Sequence, residues 1–529
     1  MKKALVVNAL ILTGTALLLR TINLTFRVYI SNKIGAEGMG LYQLIFSIFA
    51  LASTFATSGI SIAVTRLVSE EAARGAHTTV NKVLIKAFMF SLILSITASF
   101  LLFTFADYIG TAWLNDSRTV FSLKILAPSL PFIGVSSCLR GYFLAKRKII
   151  KTASAQILEQ FIKIFIVVNV INMFVTKELE YTCAAVVLGA TVAEMVSCVY
   201  VFILYYYEKK KNSKYDIGIV RTNRILNKIL NISLPIAASS YVRIGLNTVE
   251  NIMIPSGFEK FGSSSKTALA EYGMIRGMAM PILTFPSAFL SAFSTLLIPE
   301  ISEANALNHK NRINYAISRV FQLTLLLSIL VAGVFISFSN ELGMAIYKSK
   351  EIGAMLKLLA PLIPFMYLDR IVDGIMKGLN QQVSSLKYDI INSLCRIGMI
   401  YYLIPIKGVS GFIIVIYISS ILNSFLNINR LLKVTKLKVK FVDWIFMPML
   451  SVAASAFIVT LIFKVDSLKS LPLGISVTIG IILIIVLYLT SLLLLESITK
   501  DDISWFKNCF KNINKDPKNV KLVDDDLNP

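Results

Sequence analysis

Charge is scarce in this sequence: only 16% of its 529 residues are Asp, Glu, Lys or Arg. A soluble chain of that length carries about a quarter charged residues and divides into several domains, so that class is excluded. Histidine is nearly missing. The two present, His77 and His309, lie far apart with no cysteine cluster beside them, and no metal site is expected. The five cysteines (138, 183, 198, 395 and 509) are scattered, contain no C-x-x-C pair and suggest no disulfide framework. The sequence has no G-x-x-x-x-G-K-[ST], which removes an ATP-binding P-loop, and no H-E-x-x-H or G-x-S-x-G. No stretch between apolar runs is large enough for a soluble domain. An enzyme working from an outer loop is therefore disfavoured, and neither a catalytic residue nor a cofactor is expected.

What the chain has instead is apolar runs of roughly 18 to 25 residues, each long enough to cross a hydrocarbon core of about 30 Å as a helix. About fourteen spans are expected: 6–30, 42–65, 83–106, 121–145, 153–175, 182–207, 226–254, 272–298, 314–338, 356–379, 386–404, 409–429, 442–463 and 473–495. A β-barrel would alternate apolar and polar residues over segments of about ten, and Ile475–Leu495 does not alternate. The run after Met1-Lys2-Lys3 is too long for a signal peptide, is broken by Arg20 and lacks a small-residue cleavage site, so it reads as an uncleaved first span. The net charge of +23 is distributed as a topology signal. Roughly two-thirds of the Lys and Arg fall on one side of the expected spans, in short clusters such as Lys146-Arg147-Lys148 and Lys209-Lys210-Lys211. That bias places both termini in the cytoplasm and the chain in the cytoplasmic membrane, with lipid rather than nucleic acid beside the basic clusters.

An internal repeat is legible. Leu126-Ala127-Pro128-Ser129-Leu130-Pro131-Phe132 in the fourth span matches Leu359-Ala360-Pro361-Leu362-Ile363-Pro364-Phe365 in the tenth at five of seven positions. Arg20, Asn23 and Arg27 in the first span are echoed by Arg243, Asn247 and Glu250 in the seventh. The offset of about 230 residues covers six spans, an even number, so the two halves share an orientation and the repeat is parallel. The expected architecture is an all-α integral membrane protein of two six-helix lobes plus two C-terminal helices. The lobes are 1–225 and 226–440, the extra pair 441–495, and residues 496–529 form a polar cytoplasmic tail expected to be disordered.

Ionisable groups inside spans carry the functional signal. Arg20, Arg27, Lys163, Arg243, Arg276, Arg370 and Arg396 would together cost roughly 20 kcal/mol if all faced lipid, at about 2.5–3.5 kcal/mol each. Some have local partners by spacing: Glu159 with Lys163, Arg370 with Asp373, and Arg396 with Asn392 or Asp389. Arg20 and Arg27 do not. They share one helix face about 10 Å apart with Asn23 between them, and their span contains no acid. Arg276 has Glu271 five residues back and no acid within two turns ahead. Arginine's planar fork donates two hydrogen bonds to a phosphate, which points to an anion-binding cavity. Snorkelling, or pairing with Glu194 or Glu250 on other spans, stays open as the alternative. Gly273-x-x-x-Gly277 with Pro281 and Pro286, and Gly374-x-x-x-Gly378 with two prolines, mark close packing and kinks in the eighth and tenth spans.

Three further segments resemble a known family. Ile34-Gly35-Ala36-Glu37-Gly38-Met39-Gly40-Leu41-Tyr42-Gln43-Leu44, Leu139-Arg140-Gly141-Tyr142-Phe143 and Gln156-x-x-Glu159-Gln160 are similar to the stage V sporulation protein B family. That family belongs to the multidrug/oligosaccharidyl-lipid/polysaccharide exporter superfamily, with MATE antiporters and MurJ-type lipid II flippases. The resemblance implies fourteen helices in two lobes, a lipid-tail groove formed by the last two, a cationic cavity and alternating access. By position, Arg20, Arg27 and Arg276 would be the cavity arginines. The Arg20–Arg27 spacing is one residue wider than in those flippases, and the second span lacks an arginine often found there. The implied substrate is an undecaprenyl-diphosphate-linked sugar, a peptidoglycan, spore-cortex or polysaccharide precursor. Arg20, Arg27 and Arg276 would bind its diphosphate, with Asn23, Arg243 and Asn247 as further polar contacts. Glu250 and Asp389 are the candidate coupling acids for Na⁺ or H⁺. A cation-coupled drug antiporter and a non-transporting scaffold for wall synthesis are the rival readings.

Overall fold

The computed structural model describes residues 2–57, 59–74, 77–174, 178–212, 225–291, 309–436, 440–462 and 472–495, together with 301–302, 304–305, 307 and 497. The tail expected at 496–529 lies outside the described residues apart from Ser497. Among the described residues there is no strand. In hydrocarbon no water can satisfy a backbone N–H or C=O, so apolar runs close their hydrogen bonds within themselves.

The helices are α1 (Lys2–Thr57), α2 (Ile60–Ala73), α3 (His77–Thr104), α4 (Thr119–Leu126), α5 (Ser129–Ala145), α6 (Ile149–Phe174), α7 (Leu179–Asn212) and α8 (Ile225–Phe261). They continue with α9 (Ser265–Tyr272), α10 (Met280–Thr284), α11 (Lys310–Ser337), α12 (Ser339–Tyr347), α13 (Lys350–Leu359), α14 (Ile363–Gly378), α15 (Gln382–Thr435), α16 (Met447–Ile462) and α17 (Leu473–Leu494). Among the described residues ten helices are long and apolar enough to cross a membrane, or eleven with α4 and α5 counted as one bent span. Two of them hold more than one expected span. At 1.5 Å per residue α1 and α15 would each run about 80 Å, more than twice the hydrocarbon core. Each is broken by a glycine in the left-handed region, Gly35 (φ 71°) in α1 and Gly408 (φ 56°) in α15. Only glycine adopts that backbone without a Cβ penalty, so two spans meet there without a separate loop. Large apolar side chains such as Phe100, Phe165 and Met173 are more than two-thirds exposed, as lipid-facing positions of a multi-pass membrane protein are.

The repeated Leu-Ala-Pro motif has the same local consequence in both copies. α4 ends at Leu126 and α5 begins at Ser129 after a 42° bend, while α13 ends at Leu359 and α14 begins at Ile363 after a 3₁₀ turn at Ala360–Leu362. Proline removes an N–H and crowds the preceding turn, so each copy breaks its span at the same place.

Packing divides the chain into two compact units. One joins Met1–Leu17, Leu283–Ser385 and Ser424–Pro529; the other joins Leu18–Ile282 and Leu386–Asn423. In the first, α11, α16 and α17 bury Phe338, Val459 and Tyr488, and the Tyr488 hydroxyl donates to Leu326 O at 2.9 Å. In the second, α2, α3, α5, α7 and α8 bury Val64, Leu84, Phe143, Val201 and Ile229. Every site residue inferred from the sequence falls in this second unit.

Beside the Gly35 kink, Arg118 grips Asp116 through Nη2 at 2.7 Å and Nε at 2.9 Å, and donates from Nη1 to Glu37 at 2.7 Å. Its hydrogen bonds to Asp116 lift the guanidinium pKa above the ordinary value against the opposing effect of burial, and Glu37 adds to the rise. The clamp ties α1 to the connection before α4. Arg118→Ala strands the Asp116 carboxylate, which is 7% exposed, and should cost about 1–3 kcal/mol of stability. Thermal melting of the purified chain in detergent checks this, and an unshifted transition would mean that the clamp carries no stability.

Candidate functional site

The family-like segments find one another in the fold. Arg140 of the Leu-Arg-Gly-Tyr-Phe run reaches Glu159 of the Gln-x-x-Glu-Gln run, Nη2 to Oε2 at 2.6 Å, and both contact Ser197 Oγ on α7 at 3.1 and 3.3 Å. Thr65 of α2 donates to Gly141 O at 3.0 Å. The expected Glu159–Lys163 pair is therefore corrected: Glu159 turns to Arg140. Lys163 instead sits 5.6 Å from the Phe26 ring centroid and 5.9 Å from that of Phe46, both on α1. Glu194 lies within electrostatic reach of Glu159, Arg140 and Lys163.

On α1, Phe26, Ile30 and Ile34 repeat every four residues and are buried. The Arg20, Asn23 and Arg27 stripe adjoins this packed face. Arg27 is half-buried and makes no hydrogen bond or ion pair among the described residues. Arg20 is half-buried with an interaction partner, and Asn23 is exposed. On α8, Arg243 and Asn247 are both exposed and Glu250 is fully buried. Asp389 on α15 is half-buried and engaged.

Arg276 sits in a π-helical turn, Gly273–Ala279, between α9 and α10. Such turns are rare and cluster at functional sites because one extra residue re-aims the side chains around it. The turn lies backbone to backbone against the kinked part of α1. A Cβ on Gly273 would overlap Ala36 O, and one on Gly40 would overlap Leu269 O. The Gly-x-x-x-Gly signal of the eighth span thus packs on the Gly-Ala-Glu-Gly-Met-Gly segment, and the two motifs position Arg276 together. Its guanidinium carbon is 5.8 Å from the Phe412 ring centroid. Its Nε is shielded from solvent and has no hydrogen-bond partner.

Arg276 lies within electrostatic reach of Tyr272, Glu250 and Arg396. Arg396 Nε is 2.8 Å from Glu250 Oε2, an ion pair between α15 and α8. The N–H is not aimed along that line, so neither Glu250 oxygen nor Arg396 Nε counts as hydrogen-bonded. Arg396 thus finds its counter-ion on another helix rather than at Asp389 or Asn392 of its own. Arg370 corrects its expected local pairing as well: Asp373 is held by Lys377 at 2.6 Å, while Arg370 Nη1 donates to Ser291 at 3.4 Å. Sequence reasoning missed Arg396 and Lys163 as members of these clusters. The available signal was charge balance, since Glu250 has no base and Arg396 no acid three or four residues away on its own helix.

Residues 5–305 match the family model described as polysaccharide biosynthesis protein. The chain belongs to that family. It is 28% identical to stage V sporulation protein B of Bacillus subtilis (strain 168) over 447 residues, 84% of this chain and 86% of that protein. It is 24% identical to the lipid II flippase MurJ of the same organism, over 81% of this chain and 83% of that one. Among solved structures, the fold is similar to lipid II flippase MurJ in an inward closed conformation, with TM-score 0.67, 15% identity and coverage of 92% of this chain and 97% of that one. It is also similar to a multidrug resistance MATE family transporter in an inward-facing conformation, with TM-score 0.62, 15% identity and coverage of 80% and 96%. The family member is thus an all-α multi-pass membrane protein, with a lipid II flippase among its relatives and a transporter among the solved structures that share its fold.

Proposed function

We propose that this family member is a flippase that moves an undecaprenyl-diphosphate-linked sugar, a precursor of peptidoglycan, spore cortex or another polysaccharide, across the cytoplasmic membrane by alternating access. The observation that carries the reading is Arg27, a half-buried guanidinium with no ion pair or hydrogen bond among the described residues, on the stripe with Arg20 and Asn23. A cation kept in a membrane span without a counter-ion needs water or an anion, and a diphosphate offers several acceptor oxygens to a planar fork. Arg20, Arg27 and Arg276 bind the diphosphate; Asn23, Arg243 and Asn247 contact phosphate or sugar. The lobes 1–225 and 226–440 rock around this site, residues 441–495 guide the polyprenyl tail, and both termini with the 496–529 tail stay cytoplasmic. Na⁺ or H⁺ acting at Asp389, or the membrane potential, biases the cycle. Glu250 is paired with Arg396, a cation of the protein's own, which leaves the coupling role to Asp389.

The test is translocation of a fluorescent undecaprenyl-diphosphate sugar in proteoliposomes. Arg20→Ala and Arg27→Ala should each slow it at least tenfold at equal reconstitution, since each removes charge-assisted hydrogen bonds of about 1.5–3 kcal/mol. Wild-type rates in both variants would remove the site. The fold similarity to a MATE transporter supports a second reading, a cation-coupled drug antiporter. Ion-linked drug export with no movement of lipid sugar would favour it.

A further inference from the structure

Glu250 of α8 pairs with Arg396 of α15, and Arg276 of the π-helical turn lies within electrostatic reach of both. Two cations share one carboxylate, which leaves an excess of one positive charge. The acid is fully buried, yet neither oxygen accepts a well-aimed hydrogen bond, and the Nε atoms of both arginines are buried without one. An ion pair kept only for stability pays its desolvation back through good geometry and saturated hydrogen bonding, and this cluster has neither. Carboxylate and phosphate oxygens present the same acceptor to a guanidinium, but a diphosphate carries more charge and more acceptors.

We propose that Glu250 is the resident counter-ion of a diphosphate subsite built by Arg276 and Arg396, holding the place that phosphate oxygens take when substrate arrives. The assignment rests on the flippase reading above and adds Arg396 as a diphosphate ligand and Glu250 as its competitor. The empty site then never leaves the two guanidinium groups to repel each other without an anion beside them. The returning carboxylate also helps to expel the bound diphosphate, so the site does not retain its cargo.

The charge arithmetic yields variants of opposite sign. Binding of farnesyl diphosphate and of inorganic pyrophosphate to the full-length chain in detergent is measured by calorimetry, with thermal melting to verify folding. Glu250→Gln removes the competitor and should tighten both ligands about tenfold. Arg396→Gln leaves Glu250 to neutralise Arg276 alone and should weaken both about tenfold. The double variant restores the original charge and should bind within about threefold of wild type. If Glu250→Gln does not fold, Arg396→Gln decides alone. Unchanged affinity in whichever of the two single variants folds overturns the proposal. Wild-type binding of pyrophosphate but not of the lipid diphosphate, with the opposite signs retained, would sustain the subsite and sink the flippase reading. Loss of farnesyl diphosphate binding in Arg27→Ala with no change in either single variant would do the reverse. No binding of either ligand to the wild type would remove both.

Discussion

Gly273→Val should abolish transport and destabilise the chain by about 3 kcal/mol or more. A Cβ at this position would fall on Ala36 O and within 2.6 Å of Gly40 N, backbone atoms that no rotamer change can move aside. Two further methyl carbons would drive the π-helical turn away from α1, and Arg276 with it. Gly277→Ala should be milder, because its closest approach is 3.1 Å, to Met39 Cβ, which asks for only a small shift. Gly398→Ala is the control: nothing lies within 4 Å of the added Cβ, and replacing a helical glycine should raise stability by about 0.5–1 kcal/mol. Melting in detergent and translocation in proteoliposomes measure all three. A Gly273→Val protein that melts and transports like wild type would show that the two backbones do not approach as described.

The spans were legible because run length alone decides whether an apolar helix crosses hydrocarbon. Each of the fourteen expected ranges falls on helix over most of its described length. The joins were not. Ile34 to Leu44 reads as a loop rich in glycine, yet a single left-handed φ at Gly35 suffices to redirect the helix, and spacing cannot reveal which of several glycines takes it. The partners of buried charges were also hidden. Spacing of three or four residues nominates neighbours on one helix, which pairs Lys163 with Glu159 and Arg396 with Asn392, or with Asp389 one turn further back. Inside a bundle the desolvated acid takes the cation offered by the facing helix, Arg140 for Glu159 and Arg396 for Glu250. The repeat was more informative than its brevity suggests, since both Leu-Ala-Pro copies break their helices at the same residue. Arg276 was legible as a cation without a local acid. Its π-helical turn was not, because that geometry comes from the contact of two glycine motifs rather than from either one.

Arg276→Ala should separate function from stability more sharply than any other change. Translocation should fall about a hundredfold, since in the proposed site the side chain would supply a diphosphate with charge-assisted hydrogen bonds worth about 1.5–3 kcal/mol each. Ordinary truncation of a shielded side chain lowers the melting temperature by leaving a cavity. Here the lost group is a cation within electrostatic reach of a second cation, with a buried Nε that has no partner, and its removal leaves Glu250 and Arg396 as a neutral pair. Relief of that repulsion and of the unmet N–H, about 1–3 kcal/mol, offsets the cavity and the lost attraction to Glu250 and the Phe412 ring, so the variant should melt close to the wild-type temperature. Arg276→Lys keeps the charge but loses the planar fork and should recover only part of the rate. A variant that melts early and loses transport in proportion would make Arg276 a packing residue, because a binding arginine held against its own stability is the arrangement that only substrate can justify.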